Sequence, residues 1–192
     1  MSRQVAGRVL IGLVAFSLCV APGLQYASAQ TSYDLTGRPT DPLKDSSGKP
    51  VVLIFVRTDC PISNRYAPTI KTLSQRYAGK VQFYLVYPDK SETAANIKKH
   101  EQEYGLQMAA LRDPQHGLVQ MSQVEITPEI AVFDGKGELI YHGRIDNWYE
   151  DFGRARPAPT THEMNDAILA VLEGSPAPVP VGGVGCYISD LK

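Results

Sequence analysis

The chain has 192 residues, 19 Lys and Arg against 20 Asp and Glu, a formal net charge of −1, and three cysteines. This near-neutral balance leaves no basic footprint for nucleic acid or for an anionic membrane surface. The length fits one domain with chain enough for a real core and calls for no second one.

Residues 1–29 read as an export signal, with Arg3 and Arg8 ahead of an apolar stretch from Val9 to Val20, then Ala27-Ser28-Ala29 as a small-residue cleavage site before Gln30. The apolar core is short for a bilayer span, so no stable membrane insertion is expected after the signal is removed. Cys19 leaves with the signal, and Phe16-Ser17-Leu18 before it lacks the small residue that lipid attachment needs. The mature protein is therefore expected to be periplasmic or otherwise exported. It keeps Cys60 and Cys186, in a compartment where disulfides persist.

Residues 30–50, with Gly37-Arg38-Pro39 and Ser46-Ser47-Gly48-Lys49-Pro50, predict an irregular entry with one short hairpin. Val51 to Val56 is an unbroken β-branched and apolar run, as in a central strand covered on both faces. From Pro61 to Tyr77, Ile62, Tyr66, Ile70, Leu73 and Tyr77 recur at helical spacing, with a kink expected at Pro68. Val81 to Val86 predicts a second strand, and Ser91 to Tyr104 a mostly exposed helix ending at Gly105. Met108 to Leu111 suits a short strand and His116 to Val124 a short helix; His100 and His116 have polar neighbours and receive no role.

Ile130 to Phe133 and Glu138 to Tyr141 flank Asp134-Gly135-Lys136-Gly137, a strong hairpin signal, and a last helix runs from Thr161 or His162 to Leu172. These elements make an α/β three-layer sandwich with a central mixed sheet over residues 30–174. Residues 175–192 read as an extended C-terminal arm that brings Cys186 back over the domain, with Gly182-Gly183-Val184-Gly185 as a hinge.

Cys60 ends the first strand and opens the helix at Pro61. Its sulfur then lies beside unpaired backbone N–H groups and the positive end of the helix dipole, which favour the thiolate. A partly exposed thiol with a lowered pKa is expected there.

The order of elements, Cys60 at the first strand-to-helix junction, Pro68 eight residues later and Thr127-Pro128 before the hairpin together resemble the thioredoxin-like superfamily. The segment from Thr58 to Pro68, with the later Gly143-Arg144-Ile145-Asp146, is similar to the exported redoxin (AhpC/TSA-related) proteins of bacteria. The resemblance covers roughly residues 45 to 175. It implies a cis Thr127-Pro128 bond in a loop facing the reactive sulfur, where the Thr127 backbone meets a partner chain.

The departures bear on activity. Ser63 stands where thioredoxins carry a second cysteine, so no local thiol completes attack on a disulfide, although Ser63 is placed to hydrogen-bond the Cys60 thiolate. Peroxiredoxins carry a hydroxyl three residues before their cysteine; Arg57 occupies that place, and Thr58 is one residue too near.

The resulting reading is a thiol-disulfide oxidoreductase with catalytic residues Cys60, Cys186, Ser63, Thr127 and Pro128, acting on protein thiols or disulfides. Cys186 is its distant resolving cysteine. One alternative is an atypical two-cysteine peroxidase acting on a hydroperoxide; another is a structural staple or a copper-delivery module built on the same pair. His142 and His162 could join two thiols on Cu(I) or Zn, but no short paired spacing supports a site, and no metal or cofactor is expected.

Overall fold

The computed structural model describes residues 32–189 and Leu191. The export signal expected at 1–29 lies outside the described residues. The strands are β1 (Ser32–Asp34), β2 (Pro39–Thr40), β3 (Val51–Phe55), β4 (Gln82–Tyr87), β5 (Ala109–Arg112), β6 (Ile126–Thr127), β7 (Glu129–Phe133), β8 (Leu139–Gly143), β9 (Tyr149–Asp151), β10 (Arg154–Ala155) and β11 (Cys186–Tyr187). The helices are α1 (Pro42–Asp45), α2 (Pro61–Arg76), α3 (Ala94–Tyr104), α4 (Gly117–Ser122) and α5 (Glu163–Glu173).

Every residue of β3 is buried. Such a strand needs cover on both faces, and it lies in the interior of a seven-stranded mixed sheet of order β2-β1-β5-β4-β3-β7-β8. β3, β4 and β5 are parallel, whereas β7 runs antiparallel to both β3 and β8.

The strand period of two splits the core. Val52 and Ile54 pack with α2, α3 and α5 through Tyr66, Ile70, Ile97, Met164 and Ile168. Val51, Leu53 and Phe55 pack on the other face with Leu118 and Val119 of α4, Leu43 of α1, and Ile188 from the C-terminal arm. The expected three-layer α/β sandwich is the one observed.

Local differences have local causes. The entry forms the β1–β2 hairpin and then the one-turn helix α1, capped by Asp41, whose carboxylate accepts from the Leu43 and Lys44 amides. α2 continues through Pro68 to Arg76. α3 starts only at Ala94, because the Thr93 hydroxyl caps it through the Asn96 amide.

His116 is not in a helix: it is the left-handed residue before α4, and its Nε2 lies 3.0 Å from the Pro88 carbonyl oxygen. The cap of α4 is supplied by Asp113, fully buried, whose carboxylate accepts from the Gly117 and Val119 amides at 2.9 and 3.0 Å.

Burial pushes the Asp113 carboxyl up to about 6, against these two amides, which favour the ionised form. The unfolded chain ionises near pH 3.9. Its contribution to stability is therefore full below about pH 4 and lost as pH rises through about 6. Asp113→Ala should cost about 1–3 kcal/mol by orphaning the amides. Urea unfolding of both proteins from pH 4 to 7 should show the wild-type advantage shrinking as pH rises; a constant difference would contradict this assignment.

Candidate active site

β3 hands the chain to α2 through Arg57-Thr58-Asp59, and Cys60 is the residue preceding the helix, with extended backbone and Pro61 following at the first helical position. Thr127 and Pro128, joined by a cis peptide bond, face it from the loop before β7. The Cys60 Sγ lies 3.4 Å from the Thr127 carbonyl oxygen.

The arm completes the site. β11 pairs antiparallel with β6, placing Cys186 opposite Thr127 and Tyr187 opposite Ile126. The Thr127 hydroxyl donates to the Cys186 carbonyl oxygen at 3.2 Å. The two sulfurs stand 3.1 Å apart, as free thiols. All five expected site residues therefore converge, across 126 positions of sequence between the cysteines.

Two expectations are corrected. Cys60 is not partly exposed but fully buried, because the arm lies over it. The glycine stretch before Cys186 is not a free hinge in this state. The Gly183 amide donates to Glu129 Oε1 at 2.7 Å, and the Arg144 amide donates to the Val181 carbonyl at 2.8 Å. Gly143 makes this approach possible, since a Cβ there would lie 2.2 Å from the Val181 oxygen. Ile188 is buried beyond Cys186, and its amide donates to the Glu125 carbonyl.

The electrostatics of the pair are unequal. Burial opposes a Cys60 thiolate, yet the Ser63 hydroxyl, the Ser63 and Ile62 amides and the Cys186 thiol, all potential donors to it, bring its pKa below the ordinary value. Ser63 Oγ is buried with no hydrogen-bond partner among the described residues, which leaves its proton open to a Cys60 thiolate. Burial, and then the hydrogen bond and charge of Cys60, push Cys186 up to about 11. Cys186 thus keeps a proton that it can donate to the Cys60 thiolate.

A buried polar frame braces the Cys60 loop. Glu92 accepts from both the amide and the hydroxyl of Thr58. Asn64 Nδ2 donates to the Thr58 carbonyl at 3.1 Å, which leaves Asn64 Oδ1 to accept from His100 Nε2 at 2.8 Å. His100 Nδ1 then accepts from the Tyr87 hydroxyl at 2.9 Å. Burial lowers the His100 pKa and favours the neutral ring that this tautomer requires.

Neither Glu92 nor His100 was singled out from sequence. His100 falls three residues after buried Ile97, so its place on the inner face of α3 was available from spacing alone.

The flanking arginines are engaged. Arg57 forms a two-pronged ion pair with Asp59 and a second contact with Asp89, while Arg65 stacks 5.0 Å from the Trp148 ring centroid. Asp146 accepts from the Tyr66 hydroxyl and the Trp148 amide. Arg144 meets Glu163, and Arg154 and Arg156 meet Glu150. Among the described residues, no group of three or more His, Cys, Asp or Glu is arranged to hold a metal ion.

With this geometry in place, residues 28–142 match the AhpC/TSA family. The chain belongs to the AhpC/TSA family. At family level this supports redox chemistry through a cysteine pair; the matched segment contains Cys60, Ser63, Thr127 and Pro128 and ends before Cys186.

Among solved structures, the fold is similar to an uncharacterized conserved protein from Geobacillus kaustophilus, at 22% identity and a TM-score of 0.69 over 82% of this chain and 86% of that one. A hypothetical protein from Sinorhizobium meliloti gives 20% identity and 0.66 over 82% and 88%. A secreted disulfide oxidoreductase from Mycobacterium tuberculosis gives 19% and 0.52 over 74% and 96%. These likenesses establish the thioredoxin-like fold. No curated protein matches the chain.

The donor set around the sulfur carries a prediction for this redoxin. In the Cys186→Ser protein, the alkylation rate of Cys60 followed against pH should titrate below the ordinary thiol value of about 8.5. Adding Ser63→Ala should move the inflection upward. An inflection at or above the ordinary value with Ser63 intact would remove the thiolate assignment.

Proposed function

We propose that the mature protein is an exported thiol-disulfide oxidoreductase with Cys60 as nucleophile and Cys186 as resolving cysteine. The observation that carries this reading is the 3.1 Å approach of the two sulfurs at the N-terminus of α2. The export signal read in residues 1–29 supports the compartment, and family membership supports the class of chemistry.

The arm lifts, and the Cys60 thiolate attacks one sulfur of a partner's disulfide, expelling the other as a thiolate. Cys186, on losing its proton, attacks Cys60 Sγ and releases the partner's second thiol. The partner gains two electrons and two protons, and the Cys60–Cys186 pair becomes a disulfide. Ser63 steadies the thiolate in the first step, and Thr127 with Pro128 offers the backbone edge along which the partner lies.

The hydroperoxide alternative is less well served. The Thr58 hydroxyl, the one nearest in sequence before Cys60, donates its proton to Glu92. Thr127 is engaged with the arm.

A disulfide closing a loop of this length stabilises the folded protein by about 4–5 kcal/mol in a chain-entropy account, if the bond forms without strain. Reduced protein should be trapped on a disulfide-bearing protein such as insulin when Cys186→Ser is used, giving a covalent adduct cleaved by dithiothreitol. Cys60→Ser should give neither adduct nor reduction above the reagent background. Peroxide turnover faster than disulfide reduction, lost on Cys60→Ser, would replace this reading with the peroxidase. A Cys60–Cys186 bond unreduced across a full glutathione series would leave only a staple.

A further inference from the structure

The arm occupies the position beside Cys60 that a disulfide partner must take. Its register therefore records what the groove accepts. Cys186 is held with its sulfur against Cys60 by pairing to Thr127, and the residue before it, Gly185, crosses directly over the Thr127 carbonyl.

A Cβ at Gly185 would lie 2.0 Å from the Thr127 oxygen, 2.7 Å from its carbonyl carbon and 3.0 Å from Ile126 Cγ2. The first two are backbone atoms. They are held by the β6–β11 pairing, by the hydrogen bond from Thr127 Oγ1 to the Cys186 carbonyl, and by their place beside Cys60. No side-chain rotation relieves such a contact.

We propose that the groove along Thr127 and Pro128 is selective for an extended polypeptide in which glycine directly precedes the reacting cysteine. The proposal rests on the reading of Cys60 as the nucleophile that attacks a partner's disulfide.

Two further features extend the recognised pattern. Three residues before the cysteine, Gly183 gives its amide to Glu129 Oε1, and a Cβ there would lie 3.0 Å from the Pro128 oxygen and 3.1 Å from Glu129 Cγ. That position takes a small residue with a free N–H, which excludes proline. Val184, between the two glycines, packs against the core, so an apolar residue fits there. After the cysteine, Tyr187 is 73% exposed and sets no limit on size. The partner is thus a protein with a small-apolar-Gly-Cys segment able to lie as a strand along β6.

In the reaction, the Cys60 thiolate bonds to the sulfur of that cysteine, and the cysteine formerly bonded to it leaves as a thiolate. Cys186 cannot occupy the groove at the same time as this segment. Its return to Cys60 and the partner's departure are one exchange of strands.

The test uses the full mature chain in a Cys186→Ser background, with and without Gly185→Ala. The probes are the peptides Gly-Val-Gly-Cys-Tyr and Gly-Val-Ala-Cys-Tyr, each as a mixed disulfide with thionitrobenzoate, and free cysteine in the same mixed disulfide as a reference that cannot dock. Attack by Cys60 on the peptide sulfur releases the coloured thionitrobenzoate. Gly185→Ala should unseat the arm and speed the reference reaction. On that variant the Gly-Cys peptide should react about tenfold or more faster than the Ala-Cys peptide.

Equal peptide rates, with the reference reacting, would overturn the glycine rule while leaving Cys60 a nucleophile. An unchanged reference rate on Gly185→Ala would overturn it too, because the arm would then have tolerated the Cβ. Failure of all three probes on both variants would instead remove the nucleophile reading itself.

Discussion

The peptide group of Thr127 is the constraint on which the site depends. Its carbonyl lies against Cys60, its side chain holds the Cys186 carbonyl, and its backbone gives β11 a register. One residue of slip along this pairing would turn the Cys186 side chain to the opposite face and separate the sulfurs. The long-range geometry of the two thiols is therefore carried by a two-residue strand, whose own position is fixed by β7 in the sheet interior and by Pro128 between them.

The sulfurs, 3.1 Å apart, act as a pair rather than as two independent thiols. Burial works against ionisation at both, but the helix terminus and Ser63 support negative charge only at Cys60. The asymmetry assigns roles without any second cysteine in α2: the thiol with local donors is suited to attack, and the one without them is suited to hold a proton and follow. Arg57 stands nearby as a favourable charge, shared with Asp59 and Asp89.

Much of this was legible in the chain. The apolar run at Val51, the helical spacing from Ile62 to Tyr77 and the Asp134–Gly137 turn predicted their elements because each is a strong local signal, and Cys60 stood out by its place between two of them. What the sequence could not supply was contact geometry. Whether Gly183 and Gly185 serve motion or close approach depends on what lies across from them, and that is the Thr127–Glu129 backbone, over fifty positions away.

The burial of Cys60 has the same origin: Thr127 and Cys186, which lie against its sulfur, are far from it in sequence. His100 and Glu92 were missed for a related reason, since a polar residue looks solvated until its partners in another element are known.

Glu129 binds in two directions. One carboxylate oxygen takes the Gly183 amide from the arm; the other takes the Glu125 and Ile126 amides that lead into β6. It also lines a cavity of about 230 Å³ beside the arm, together with His142 and Val181. In the proposed lifting of the arm, one oxygen would lose its donor and be open to hydration, while the other would still hold the Glu125 and Ile126 amides. Such an opening would exchange a dry contact for a wet one and leave the wall of the groove standing.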